Sequence, residues 1–207
     1  MNNKHIFNDT VLTYLSSLYP PEKLDLKSLT LKLVKLIALV SAQRGQSLHM
    51  LEIGCMKDVP NGFGFLLMEQ SKQSRPGYRA PSVVLEAYPA DSFLCMSSCL
   101  KEYLKRAKPL SAAERKLLIS FIKLYKQVSR ETISSWIRLV MELAGSDTKA
   151  FKPHSTRPAA TSKTKAANVP IHEILRTAGW SSSRCFGQFY NKPVGTSTFA
   201  SAVLHAD

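Results

Sequence analysis

The sequence predicts a mostly helical α+β fold with a small three-stranded antiparallel sheet, and three observations lead to this prediction. Apolar residues recur at helical spacing both before and after residues 48–87. Within 48–87 lie three short segments rich in Ile, Val, Phe and Leu, separated by the turn signals Pro60-Asn61-Gly62 and Arg75-Pro76-Gly77. The composition, 44% hydrophobic and 21% charged over 207 residues, is that of a folded globular domain.

The first two helices are predicted from their apolar residues. A short helix over 11–18 is expected to end at Tyr19-Pro20-Pro21, because proline cannot continue a helix. The segment 29–43 is apolar nearly all round, with Lys32 and Lys35 on one narrow side, so we predict a helix that is buried on most faces. Its ends are expected at an N-cap Ser28 and a left-handed Gly45, which would follow Arg44.

The predicted strands cover 48–56, 63–69 and 82–87, and the second and third form a β-hairpin. Later helices are predicted over 91–107, 129–143, the segment after His154, 170–177 and 182–189. Ser129 is expected to cap the helix over 129–143, and Gly179 is expected to end the helix over 170–177.

The charge of the chain indicates its class of partner. Lys and Arg number 28 against 15 Asp and Glu, which gives a net charge of +13. Such an excess is typical of nucleic-acid binding, while an acidic membrane or protein surface is the alternative. A membrane span is not expected, because the apolar run Leu31–Val40 is short and contains two lysines.

The four cysteines are Cys55, Cys95, Cys99 and Cys185. They form no C-x-x-C motif, and the polar start of the chain is no signal peptide, so we expect reduced thiols in an intracellular protein. No partner ligands can be placed for a zinc site, and no metal or other cofactor is predicted.

Chemistry-bearing residues concentrate in the C-terminal third. His154 and Arg157 are one helical turn apart, so both side chains can point into the same space. Trp180 and Tyr190 follow, and a His, an Arg, an indole N–H and a phenol suffice to hold a phosphodiester and attack it. The simpler alternative for both aromatic residues is a place in the core.

The same residues carry a family resemblance. The motifs H-S-T-R-P-A-A-T-S (154–162) and I-L-R-T-A-G-W-S-S-S-R-C-F-G-Q-F-Y-N-K-P (174–193) resemble the C-terminal signature of the tyrosine recombinases, or phage integrases. They are most similar to the recombinases of DIRS-type mobile elements. The resemblance extends from about Thr10 to Pro193 and comprises five elements in the expected order.

The resemblance implies further site residues. Q-R-G-Q-S-L-x-x-L is similar to the segment with the first catalytic arginine, here Arg44, whose alternative role is to complement a helix dipole. S-K-Q-S-R-P-G is similar to the β-hairpin that carries a catalytic lysine, here Lys72, which is otherwise an ordinary loop lysine. Arg75 and Arg79 are expected to contact DNA phosphates.

Two positions depart from the family pattern. Ser47 stands where an acidic residue is usual, and Pro158 stands where the DIRS-type relatives tend to have Ala. If Ser155 or Thr156 is the N-cap, Pro158 falls in the first turn and removes no intrahelical hydrogen bond.

What the resemblance implies is a site-specific recombinase or integrase domain that cleaves and rejoins double-stranded DNA through a 3′-phosphotyrosyl intermediate, as a tetramer on paired sites. The expected organisation is a catalytic domain over 1–193 and a tail over 194–207, without the N-terminal DNA-binding domain of the family. The protein is expected inside the cell, and in the nucleus if its source is a eukaryote. A catalytically inactive DNA-binding remnant of a mobile element and a type IB topoisomerase are the alternatives.

Overall fold

The computed structural model describes residues 3–68, 82–111, 114–180 and 203, with side chains from residue 9 onward. Its α-helices are α1 (Asn3–Ser17), α2 (Leu26–Ser41), α3 (Gly45–His49), α4 (Met96–Leu110), α5 (Arg130–Leu143), α6 (Thr156–Ala166) and α7 (Ile171–Ala178). Its strands are β1 (Met56–Val59), β2 (Gly62–Leu66) and β3 (Ser82–Glu86), which form one antiparallel sheet in the order β1-β2-β3. The predicted fold class is therefore confirmed.

Helix α2 is the centre of the molecule. Every residue from Leu29 to Ser41 is buried, and the helix packs against α4, α5, α6 and β3. The narrow lysine side predicted from the sequence is buried as well, since Lys32 is 1% exposed and Lys35 is fully covered. The amine of Lys32 donates hydrogen bonds to the carbonyls of Leu18 and Phe93, which satisfy it inside the protein.

Both predicted ends of this helix were wrong by a few residues. The N-cap is Asp25, whose carboxylate accepts a hydrogen bond from the backbone N–H of Ser28 at 2.7 Å. At the other end Ala42, not Gly45, takes the left-handed conformation, with φ of 48°. Gly45 instead begins α3, so Arg44 lies at the start of a new helix.

The sheet confirms the predicted hairpin of the second and third strands and corrects the first strand. Phe63 pairs with Leu85 and Phe65 pairs with Val83, and all four side chains are buried on one face. The predicted strand over 48–56 was wrong, because this segment holds the end of α3 and a 3₁₀ turn before β1 begins at its last residue. Short apolar runs do not distinguish strand from buried helix.

Three further predictions concern helix ends. Ser129 caps α5 by accepting a hydrogen bond from Thr132 N–H, and Gly179 ends α7 with φ of 65°, both as predicted. Helix α4 begins at Met96 rather than residue 91.

The predicted helix over 182–189 lies outside the described residues. Within the described ranges, no helix is long and apolar enough to cross a membrane.

Candidate active site

A cavity of about 460 Å³ opens where the start of α3, the first turns of α5 and the start of α6 meet. Four residues predicted for catalysis line it, namely Arg44, His154, Arg157 and Trp180. They come from segments far apart in sequence, so their convergence is a product of the fold. Arg44 and Arg157 make this cavity positively charged, and no Asp or Glu among the described residues lines it.

Arg44 occupies the N-cap position of α3, with extended backbone at φ of −80° and ψ of 156°. Its side chain is exposed at the cavity. The next residue, Gly45, packs so closely on α5 that an added Cβ would lie 3.3 Å from the hydroxyl of Ser134. This close approach of α3 to α5 holds Arg44 at the cavity wall.

His154 and Arg157 are placed by the start of α6. A 3₁₀ turn over Pro153–Ser155 runs directly into α6, and Ser155 is the N-cap. Pro158 is then the third helical residue, where it removes no intrahelical hydrogen bond, as predicted. Arg157 keeps its place in the helix despite the following proline, half-buried, while His154 is exposed.

Trp180 is brought to the cavity by the end of α7. Left-handed Gly179 turns the chain, and the backbone N–H of Trp180 donates to the carbonyl of Leu175 at 2.9 Å. The amide of Gln43 donates to the carbonyl of Thr177 at 2.6 Å, which ties the end of α7 to the segment that carries Arg44. The Trp180 ring then faces the guanidinium of Arg157, whose Cζ lies 4.4 Å from the ring centroid.

The two arginines influence each other. Burial and, secondly, the positive charge of Arg44 lower the pKa of Arg157 to about 10. Arg157 therefore remains charged at neutral pH, in a cavity that holds a second positive charge close to it. An anion between the two guanidinium groups would relieve this repulsion and be held by planar, multidentate donors.

The other predicted site residues lie outside the described residues. These are Lys72, Arg75, Arg79 and Tyr190. The described residues also contain no group of three or more His, Cys, Asp or Glu side chains that could hold a metal ion.

Sequence reasoning missed Arg130, which also lines the cavity. It is the first residue of α5, and its guanidinium donates to the Glu131 carboxylate through Nε at 3.1 Å and Nη2 at 2.9 Å. A basic residue is unfavourable in the first helical turn, where the dipole is positive. An arginine directly after the N-cap Ser129 was thus the local feature by which the sequence could have indicated Arg130 as a candidate.

Solved structures provide the comparison for this arrangement. No protein-family model matches the chain, and no curated protein matches it. Similar structures include the XerH site-specific recombinase bound to its difH substrate, with 13% identity, a TM-score of 0.64 and coverage of 96% of this chain and 48% of that one. Another is the XerA recombinase, with 16% identity, a TM-score of 0.60 and coverage of 98% and 57%.

The catalytic core of lambda integrase is also similar, with 16% identity, a TM-score of 0.53 and coverage of 84% of this chain and 93% of that core. At these identities the likeness shows the fold alone. The chain has the fold of a tyrosine recombinase catalytic domain, and it spans about half the length of the XerH chain.

Proposed function

We propose that this chain is the catalytic domain of a tyrosine recombinase that breaks and rejoins double-stranded DNA. The observation that carries the proposal is one positive cavity, on this fold, lined by Arg44, His154, Arg157 and Trp180. Neither the fold nor the cavity alone would suffice, since a fold can host many functions. The resemblance of its motifs to those of DIRS-type recombinases supports a mobile element as the proposed origin.

The proposed reaction is transesterification at a DNA phosphodiester. The phenol oxygen of Tyr190 attacks phosphorus and forms a P–O bond, while the bond to the 5′ oxygen breaks and that oxygen leaves as a hydroxyl. The product is a 3′-phosphotyrosyl bond, and attack by a 5′-hydroxyl of another strand reverses the step. Bond energy is retained in the covalent intermediate, so the reaction itself consumes no nucleotide cofactor.

Each residue of the cavity suits one demand of this reaction. Arg44 and Arg157 would stabilise the negative charge on the non-bridging oxygens, which increases in the transition state. The Trp180 indole N–H would donate to one of these oxygens. His154 is the candidate base that accepts the phenol proton, and Lys72 is the candidate acid that protonates the 5′ leaving oxygen.

Double-stranded DNA is the proposed partner because of the net charge of +13 as well as the cavity. Arg75 and Arg79 are proposed phosphate contacts. A tetramer on paired DNA sites is proposed for the complete reaction, because exchange of strands between two duplexes requires four cleavages.

The alternative is a DNA-binding remnant without catalysis. Two departures from the family pattern favour it, Ser47 and Pro158, but Arg157 remains helical and at the cavity beside Pro158. One of the two departures therefore leaves its neighbouring arginine in place. A topoisomerase with the same chemistry would differ by relaxing supercoils without strand exchange.

Capture of the covalent intermediate tests the proposal. The substrate is a library of randomised duplexes with a nick a few nucleotides 3′ of the candidate phosphate, so that the released 5′-hydroxyl fragment diffuses away. Wild type should yield SDS-resistant protein–DNA adducts, whereas Tyr190→Phe, which removes one oxygen, should bind DNA but yield none. Tyr103→Phe is the matched control, because Tyr103 is a buried phenol bonded to the carbonyl of Leu117, away from the cavity. Equal adduct yields from wild type and Tyr190→Phe would refute the assignment.

A further inference from the structure

Lys35 is a fully buried lysine next to the cavity. Its Nζ lies 2.8 Å from the hydroxyl oxygen of Thr156, which is itself 2% exposed and lines the cavity. Ala38, one turn along α2 from Lys35, also lines the cavity. A buried amine on the helix that leads towards Arg44 is thus joined to the residue directly before Arg157.

The start of α6 is continuous with the 3₁₀ turn before it, in which the backbone N–H of Thr156 donates to the carbonyl of Pro153, but it lacks a side-chain cap. Its N-cap Ser155 makes no side-chain hydrogen bond to a backbone N–H of α6. The Ser155 hydroxyl accepts instead from the backbone N–H of Lys152, at 3.1 Å. Since the usual cap bond is missing, the contact of Thr156 with Lys35 is a tertiary anchor for this turn.

The chemistry of the pair suits an anchor that persists at neutral pH. Burial lowers the pKa of Lys35 to about 7, so charged and neutral forms coexist there. A threonine hydroxyl accepts from an ammonium group and donates to a neutral amine, so the hydrogen bond survives in either form. An amine in this position is unfavourable for stability, because an apolar side chain of similar size avoids the desolvation of a charge.

We propose that Lys35 is a positioning residue, which acts through Thr156 to hold the first turn of α6 and so place Arg157 over Trp180 at the cavity. Its effect on strand cleavage rests on the proposed function. Its effect on the position of Arg157 does not. An experiment that measures both effects can therefore distinguish failure of the positioning role from failure of the proposed function.

The matched control is Lys32, which is buried on the same helix but is bonded to Leu18 and Phe93, away from the cavity. The probe is the Nε–Hε NMR resonance of Arg157 in the free protein, assigned by its loss in Arg157→Lys. The ring current of Trp180 should shift this resonance upfield in wild type. Lys35→Met should move it towards the position of a free arginine, and Lys32→Met should leave it in place.

Thr156 offers a second pair of variants that does not alter the buried amine. Thr156→Val keeps the shape and removes the hydroxyl, so it should reproduce the shift change of Lys35→Met. Thr156→Ser keeps the hydroxyl, so the Arg157 resonance should stay at its wild-type position. These variants keep the proposal testable if Lys35→Met does not fold.

Rates of covalent adduct formation complete the experiment. Lys35→Met and Thr156→Val should be about 10- to 100-fold slower than wild type, the usual consequence of a small misplacement of a catalytic group. DNA affinity should be unchanged, and Lys32→Met and Thr156→Ser should cleave like wild type. An unchanged Arg157 resonance in Lys35→Met or Thr156→Val overturns the proposal, whatever the cleavage rates. A changed resonance together with no adduct from wild type supports the positioning role and refutes the proposed reaction.

Discussion

The guanidinium of Arg157 lies over the face of the Trp180 ring, with Cζ 4.4 Å from the ring centroid. The contact joins the first turn of α6 to the second residue after the end of α7. Trp180 therefore has two separable features, a ring face that supports an arginine and an indole N–H, which is the donor proposed for a phosphate oxygen.

Substitutions of Trp180 should separate these features. Trp180→Phe keeps a ring beneath Arg157 but lacks the N–H, so adduct formation should slow by about 10²- to 10³-fold, as for loss of one transition-state donor. Trp180→Leu loses both features and should be slower still. The Arg157 Nε–Hε resonance should remain upfield in Trp180→Phe and move in Trp180→Leu. Equal rates for wild type and Trp180→Phe would show that the indole N–H takes no part.

Lys72 is tested by changing the leaving group. If Lys72 protonates the 5′ oxygen, Lys72→Ala should slow cleavage by about 10²- to 10⁴-fold. A bridging 5′ sulfur leaves as a thiolate and needs no acid, so wild type and Lys72→Ala should cleave that substrate at nearly equal rates. If Lys72 only contacts a phosphate, Lys72→Ala should slow cleavage of both substrates alike. Lys57 on β1 would then be the next candidate for the general acid.

The net charge of +13 predicts steep salt dependence of DNA binding. Each neutralised phosphate should contribute about −0.9 to the slope of log K against log salt. Arg130→Ala should make the slope shallower by the contribution of about one phosphate contact. Arg138→Ala is the control on the same helix, since Arg138 is exposed, paired with Glu142 at 3.0 Å, and absent from the cavity lining. A flat salt titration of the wild type would exclude DNA as the partner.

Lys35 should make the stability of the protein depend on pH. Its pKa is about 7 in the folded protein and 10.5 ordinarily, so between these values the unfolded chain binds more protons. Stability should therefore rise with pH across this window, by up to about 1.4 kcal/mol per pH unit, and the full penalty should be present below it.

The comparison with Lys35→Met isolates this contribution, because the variant has no amine to titrate. Urea unfolding of both proteins should show that Lys35→Met has the higher free energy of unfolding near neutral pH. The difference from wild type should shrink as pH rises. Parallel pH profiles for the two proteins would mean that Lys35 has an ordinary pKa in the folded state.

The elements whose signals are local were predictable from the sequence. Ser129 and Gly179 mark helix ends through their own backbone and side-chain preferences, and the hairpin of β2 and β3 follows from two apolar runs around a turn-rich loop. The segment after Ser41 was not predictable in this way. Glycine is the usual left-handed residue, yet packing places Ala42 there and uses Gly45 for the close approach to Ser134.

Much of the candidate site was predicted from motifs, but the hydrogen bonds that hold its residues in place were not. The sequence indicated Arg44, His154, Arg157 and Trp180, and the structure places these four at one cavity. The bonds of Gln43 to Thr177 and of Lys35 to Thr156 join residues more than a hundred positions apart, and no local pattern specifies such pairs. Arg130 belongs to none of these motifs, and only the unfavourable place of a basic side chain in the first helical turn indicates it.

The wide separation of α2 from α6 in the sequence also bears on how the protein is made. Arg44 is synthesised more than a hundred residues before His154, Arg157 and Trp180 emerge from the ribosome. A nascent or prematurely terminated polypeptide that ends before Pro153 has Arg44 and Arg130 but lacks His154, Arg157 and Trp180. Under the proposed function such a fragment cannot nick a chromosome, so the order of synthesis itself protects the cell from unfinished copies.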